Sequence, residues 1–130
     1  MKLTIEVIPR TKKNSQSIVM VRGRPIIIPS KYYKQYEKEC NLLIPAKYRQ
    51  KIDVPVNIKA IFYVDNRRKI DLTNLLEGLD DVLVTCGVIK DDNRDIIGGH
   101  DGSRVYYDKE RPRVEIEITK LEDYERWKKN

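Results

Sequence analysis

The acidic residues between positions 71 and 92 carry the strongest chemical signal in the sequence. Asp71 stands between an extended segment and a helical one, and the pair Asp91-Asp92 follows that helix across Gly87-Val88-Ile89-Lys90. A helix of about fourteen residues followed by a return turn can bring its flanks back to the end of one sheet, so these acids can converge. Converging carboxylates suit a hard divalent cation. Mg²⁺ takes oxygen ligands, keeps several waters, and is held by one or two carboxylates together with substrate phosphate oxygens. In phosphodiester hydrolysis such an ion polarises the phosphate, activates water and stabilises the leaving oxygen. Within the helix, Asn74, Glu77 and Asp81 are spaced i, i+3 and i+7 on the side opposite the leucines. A solvated helix face explains that spacing as well. Glu77 lies closer to Asp71 than Asp81 does and is the better candidate for an additional ligand. Asp71 also suits an N-cap, and Asp91-Asp92-Asn93 a turn. Adjacent acids in a basic chain nevertheless repel unless a cation or basic groups offset them.

The elements that must position these residues follow from periodicity. Leu3 to Ile8 alternate as a half-buried strand ended by Pro9, and Arg10 to Ser17 form a basic loop. Ile18–Val21 and Pro25–Ile28 flank Arg22-Gly23-Arg24 as a hairpin. Tyr33, Tyr36, Cys40 and Leu43 recur at helical spacing, giving a helix over Lys31 to Leu43 with Ser30 as its N-cap. Val56 to Val64 alternate as a long strand that runs into Asp65-Asn66-Arg67-Arg68-Lys69. Leu75, Leu76, Leu79, Val82 and Leu83 mark a second helix over Leu72 to Cys86, with Gly87 where a C-cap belongs. Ile96 to Tyr107, interrupted by Gly98 to Gly102, and Val114 to Ile118 make a final pair of extended segments. Leu121 to Lys129 read as a short exposed helix. The order β, ββ, α, β, α, ββ, α predicts one α+β domain over residues 1–130, a mixed sheet packed with two main helices.

A chain of 130 residues is long enough to bury a core without disulfide or metal staples. Its 40% hydrophobic residues fall in short blocks, which argues against disorder. Lys and Arg number 26 against 20 Asp and Glu, a balance that suits a polyanionic partner. Arg10, Lys12, Lys13, Arg22, Arg24, Arg67, Arg68 and Lys69 sit in loops or at strand ends, from which they can reach phosphates. Such contacts position DNA without reading bases, although solubility explains any single cation equally. Arg67-Arg68-Lys69 stand out because they almost abut Asp71. Cys40 and Cys86 are far apart and His100 is not spaced with them as a zinc set, so reduced, structural thiols are expected. No apolar run is long enough for a signal peptide or a membrane span, which predicts a cytoplasmic protein without membrane contact. An RNA-binding module is disfavoured by the lack of an RNP-like aromatic pattern or a GXXG clamp. Tyr32, Tyr33 and Tyr36 read as core or dimer-interface residues.

The run Asp71-Leu72-Thr73-Asn74-Leu75-Leu76-Glu77, then Asp81-Val82-Leu83, then Gly87-Val88-Ile89-Lys90-Asp91-Asp92 resembles the signature of RusA-type Holliday-junction resolvases. There an acid-x-acid-Asn-Leu start, an Asp-x-Leu within the helix and a terminal Asp-Asp pair are spaced as here. The early strand, the Lys-Lys-Asn loop and the closing hairpin with its Pro are similar more loosely. The resemblance implies a RusA-like fold and an endodeoxyribonuclease that uses Mg²⁺, or Mn²⁺ in its place, to resolve four-way DNA in recombination and repair. It implies a homodimer whose two sites cut two strands symmetrically. Asp71 and Asp92 would be the principal metal ligands, with Asp91 in support. Lys12, Lys13, Arg67, Arg68, Lys69 and Lys90 would face DNA. Two departures stand in this chain: Thr73 replaces the family's usual second acid, and Glu77 replaces a lysine that assists at the phosphate. Glu77 restores the charge count as a relocated ligand and joins Asp71 and Asp92 as a catalytic candidate. Lys13, Lys69 and Lys90 all remain open as substitutes for the lysine. Without a substitute, the alternative is a catalytically weak or inactive, structure-selective DNA-binding protein of the same fold.

Overall fold

In the computed structural model, which describes residues 1–12, 16–29 and 31–122, the elements in chain order are β1 (Lys2–Ile5), β2 (Gln16–Val21), β3 (Arg24–Pro29), α1 (Lys31–Leu43), β4 (Val56–Val64), α2 (Leu72–Thr85), β5 (Ile97–Gly99), β6 (Arg104–Tyr107) and β7 (Arg113–Lys120). β4 is the organising strand. Its strict alternation buries Val56, Ile58, Ala60, Phe62 and Val64 on one side, as a pleated half-buried surface of branched and aromatic residues should. β7 runs antiparallel along one edge of β4, and β1 antiparallel beyond it. Two short strands share the other edge, both parallel to β4: β5 beside Val56 and Asn57, β6 beside Ile61 to Val64. The result is a five-stranded mixed sheet.

Helix α2 links β4 to parallel β5, the crossover that parallel pairing requires. Its Leu75, Leu79 and Leu83 are fully buried, and α1 contributes Tyr33, Tyr36 and Cys40 to the same core as Leu3, Ile5, Val114, Ile116 and Ile118. Each buried leucine contributes about 1.5–3 kcal/mol, so these residues set the rotation of α2 and thereby which polar residues face outward. Gly87 ends α2 with φ 77°. Val88 N–H donates to Leu83 O at 2.9 Å and Gly87 N–H to Val84 O at 3.0 Å, the paired bonds of a Schellman motif. Arg49 locks the two helix ends together. Its guanidinium donates to Asn41 Oδ1 at 2.8 Å, Ile44 O at 3.1 Å and Cys86 O at 3.3 Å.

The α+β architecture, both helices, the long strand and the hairpin agree with the sequence reading. Two strands differ. The first ends at Ile5 rather than Ile8: its pairing with β7 runs from Lys2–Glu117 to Ile5–Val114, after which Val7 N–H turns back to Ile5 O at 2.9 Å. The glycine interruption after Ile96 is itself a strand: Gly98 and Gly99 lie in β5, where a Cβ on Gly98 would stand 2.3 Å from Leu121 Cδ1. The absence of a side chain there permits close packing rather than breaking the pairing. The hairpin β2–β3 forms its own two-stranded sheet and leaves Ile18, Met20 and Ile27 exposed. Ser30 and most of the predicted C-terminal helix lie outside the described residues.

Candidate active site

Asp71 occupies the N-cap position of α2 with extended backbone, yet its side chain makes no capping bond. The carboxylate instead accepts Asn74 Nδ2 at 3.2 Å. The helix start therefore leaves an exposed acid that the backbone does not consume.

The return turn is built by pairing with the segment before β4. Lys51 N–H donates to Gly87 O at 2.9 Å, Ile52 N–H to Val88 O at 3.1 Å, and Lys90 N–H to Ile52 O at 2.9 Å. This short parallel bridge carries the chain to Asp91 and Asp92. Asp91 Oδ1 accepts Asp92 N–H at 2.7 Å. Partial desolvation first, then a side-chain hydrogen bond to the neighbouring Asp91 and the charge of Asp81, hold the Asp92 carboxyl above its ordinary range.

A pocket collects Thr73, Leu76, Glu77, Asp80, Asp92 and His100. Thr73, Glu77 and Asp80 fall at i, i+4 and i+7, one stripe of α2. The acidic face expected from sequence is thus divided among three partners. Glu77 faces the pocket, Asn74 turns to Asp71, and Asp81 accepts Lys12 Nζ at 3.1 Å. That hydrogen bond raises the Lys12 pKa against the opposing effect of burial. Asp71 and Asp91 lie outside the pocket lining.

Asp80 and His100 were not singled out by sequence reasoning. Asp80 is 9% exposed, and burial pushes its carboxyl above the ordinary range while His100 pulls it back. His100 Nε2 sits 3.0 and 2.9 Å from the two Asp80 oxygens. Two signals pointed to them: Asp80 shares helical spacing with Thr73 and Glu77, and His100 is the only histidine, set within a polar break between strands.

The basic residues are dispersed. Arg67 lies with its guanidinium carbon 4.7 Å from the centroid of the Tyr107 ring, while Arg68, Lys69 and Lys90 are exposed. Among the described residues no lysine lines the pocket, and Lys13 lies outside them. Tyr33 and Tyr36 are core residues as expected, whereas Tyr32 is exposed beneath Arg10 and Lys31. Cys40 and Cys86 are buried free thiols.

Among the described residues, no three His, Cys, Asp or Glu side chains form a ready-made metal group. The pocket's oxygen donors, Asp92 and Glu77 beside Thr73, fit a hard cation that draws most of its shell from water and phosphate. No described helix is long and apolar enough to cross a membrane. No curated protein matches the chain in sequence. A family model described as endodeoxyribonuclease RusA matches residues 5–119, a span running from the end of β1 to within β7 and enclosing the whole pocket. The chain belongs to the RusA family of endodeoxyribonucleases.

Proposed function

We infer that this protein is a metal-dependent nuclease that resolves four-way DNA junctions in recombination and repair by hydrolysing phosphodiester bonds. One observation carries the reading: in a chain of an endodeoxyribonuclease family, Asp92 from the return turn meets Glu77 and Thr73 of α2 in one pocket. Residues 1–130 act as one RusA-like domain. Asp71 and Asp92 are the principal ligands for Mg²⁺, or Mn²⁺ in its place, with Asp91 in support. Glu77 serves as the relocated acid that offsets Thr73. A bound divalent ion supplies charge for the phosphate and lowers the pKa of water. The chain's own task is to hold the backbone at that ion. Lys12, Lys13, Arg67, Arg68, Lys69 and Lys90 contact phosphates, a shape-directed mode that suits a branched substrate.

Two copies act together, because two symmetric cuts need two sites. The exposed Ile18, Met20 and Ile27 of the hairpin offer apolar surface of the kind a second copy covers. Buried free thiols accord with a cytoplasmic setting. Thr73 and Glu77, which stand where the family has an acid and a lysine, favour one second reading, a junction-binding protein with little or no cleavage.

Purified protein incubated with a labelled four-way junction and Mg²⁺, beside linear duplex, separates the two. Cleavage of the junction that Asp71→Asn and Asp92→Asn abolish and Glu77→Gln weakens is the expected outcome. Equal cleavage by wild type and both Asn variants sinks the ligand assignment, and tight binding without cleavage supports the second reading.

A further inference from the structure

Asp80 and His100 belong to the pocket yet have no part in the roles given above. A carboxylate as buried as Asp80 needs a compensating donor, and the group placed to donate is His100 Nε2, at 2.9 Å from the nearer oxygen. The segment carrying His100 is itself fastened to β4. β5 and β6 leave a gap along that strand, which Ser103 Oγ fills by accepting Ala60 N–H at 3.0 Å. Asn57 grips the next residue, donating from Nδ2 to Asp101 O at 3.2 Å and accepting Asp101 N–H at 2.8 Å. The ring is therefore held at the rim of the same pocket as Asp92, Glu77 and Thr73.

A carboxylate that accepts Nε2–H selects the neutral tautomer whose Nδ1 carries the lone pair. Both described contacts of the ring to Asp80 are made through Nε2, so Nδ1 is the nitrogen that remains for a substrate or water. His100 is also the one nitrogen base among the described residues that line the pocket.

We propose that His100 is a catalytic residue of this pocket, taking through Nδ1 the proton of the water that attacks a DNA phosphodiester, with Asp80 as its positioning residue. The proposal rests on the nuclease reading above. In the step, the water oxygen bonds to phosphorus, the water proton passes to Nδ1, and the bond from phosphorus to the leaving sugar oxygen breaks. That oxygen takes a proton from solvent, and the imidazolium later returns its own.

Two measurements test it. The chain's only histidine gives an unambiguous ¹⁵N spectrum in metal-free protein. We expect the neutral ring to be protonated at Nε2, with the population shifting toward Nδ1–H in Asp80→Asn. In single-turnover cleavage of a labelled four-way junction, His100→Ala and His100→Gln lose about 10²-fold or more, while junction affinity measured in Ca²⁺ is unchanged. Added imidazole restores part of the rate to His100→Ala, which a merely structural role would not allow. Gln retains an amide donor for Asp80, so it separates proton transfer from folding. An Nδ1–H tautomer in wild type, wild-type cleavage by His100→Gln, or a folded His100→Ala that imidazole cannot rescue overturns the proposal alone. A wild-type protein that binds junctions and cuts none overturns the nuclease reading and this proposal together.

Discussion

Gly78 lies in the interior of α2, where alanine normally stabilises a helix by about 1 kcal/mol. Here the opposite sign is expected. A Cβ at position 78 would stand 3.1 Å from Tyr33 Cε1, 3.5 Å from Arg10 O and 3.8 Å from Lys12 N, whereas carbon atoms rest at about 3.5–4.0 Å. The tyrosine cannot simply slide away. Its ring is 1% exposed, and its hydroxyl donates to Gly78 O at 2.9 Å. Overpacking of this kind costs about 1–3 kcal/mol. Subtracting the helix gain leaves a net loss of about 1 kcal/mol for Gly78→Ala, or about 4 °C in Tm for a domain of this size. Urea unfolding followed by circular dichroism should show a lower midpoint at constant slope. The same substitution in a Tyr33→Leu background should instead stabilise by about 1 kcal/mol, because the obstructing ring is gone, giving a coupling of about 2 kcal/mol. Stabilisation of the wild-type background by Gly78→Ala, or additivity of the two substitutions, would show that the Tyr33 ring does not obstruct position 78. The close approach matters for the site as well, since the segment resting on Gly78 delivers Lys12 to Asp81.

Other outcomes follow from single contacts. Arg49→Lys removes the planar fork that reaches the ends of both helices and should lower stability by about 1–3 kcal/mol; an unchanged urea midpoint would show that the clamp is idle. Cys40 is fully buried, and burial pushes its thiol up to about 12, so a disulfide reagent at mild alkaline pH should label it only after denaturant is added. Rapid labelling of the native protein would contradict the packing. The hydrogen bond from Arg113 at 2.9 Å holds Asp108 below its ordinary carboxylate range. That contribution is fully present above the ordinary range and is lost as pH falls through the depressed value. Asp108→Asn should therefore reduce stability at neutral pH, and the gap between the two proteins should shrink as pH falls through the depressed value; a gap that stays constant on acidification would rule the ion pair out as the cause.

Periodicity alone determined β4, α1 and α2, because a run of alternating or helically spaced apolar residues has few other ways to bury itself. Gly87 was legible for the same local reason: a positive φ at a helix end favours glycine. The order of acids from Asp71 to Asp92 was sufficient to suggest the family. The partners of those acids were not legible. Asp71 reads as an N-cap, but its carboxylate bonds to Asn74 instead of the backbone, a choice of rotamer that residue type does not decide. Asp80 and Asp81 are neighbours on one helix, yet one meets His100 and the other Lys12. Their fates diverge because the leucines set the rotation of α2, and β4 and the strands along its edge then decide which loop passes over each side. Sequence therefore determined which faces are apolar and which residues carry charge. Which charges meet was settled by the packed fold, since it depends on strand register and loop path between residues as distant as Lys12 and Asp81.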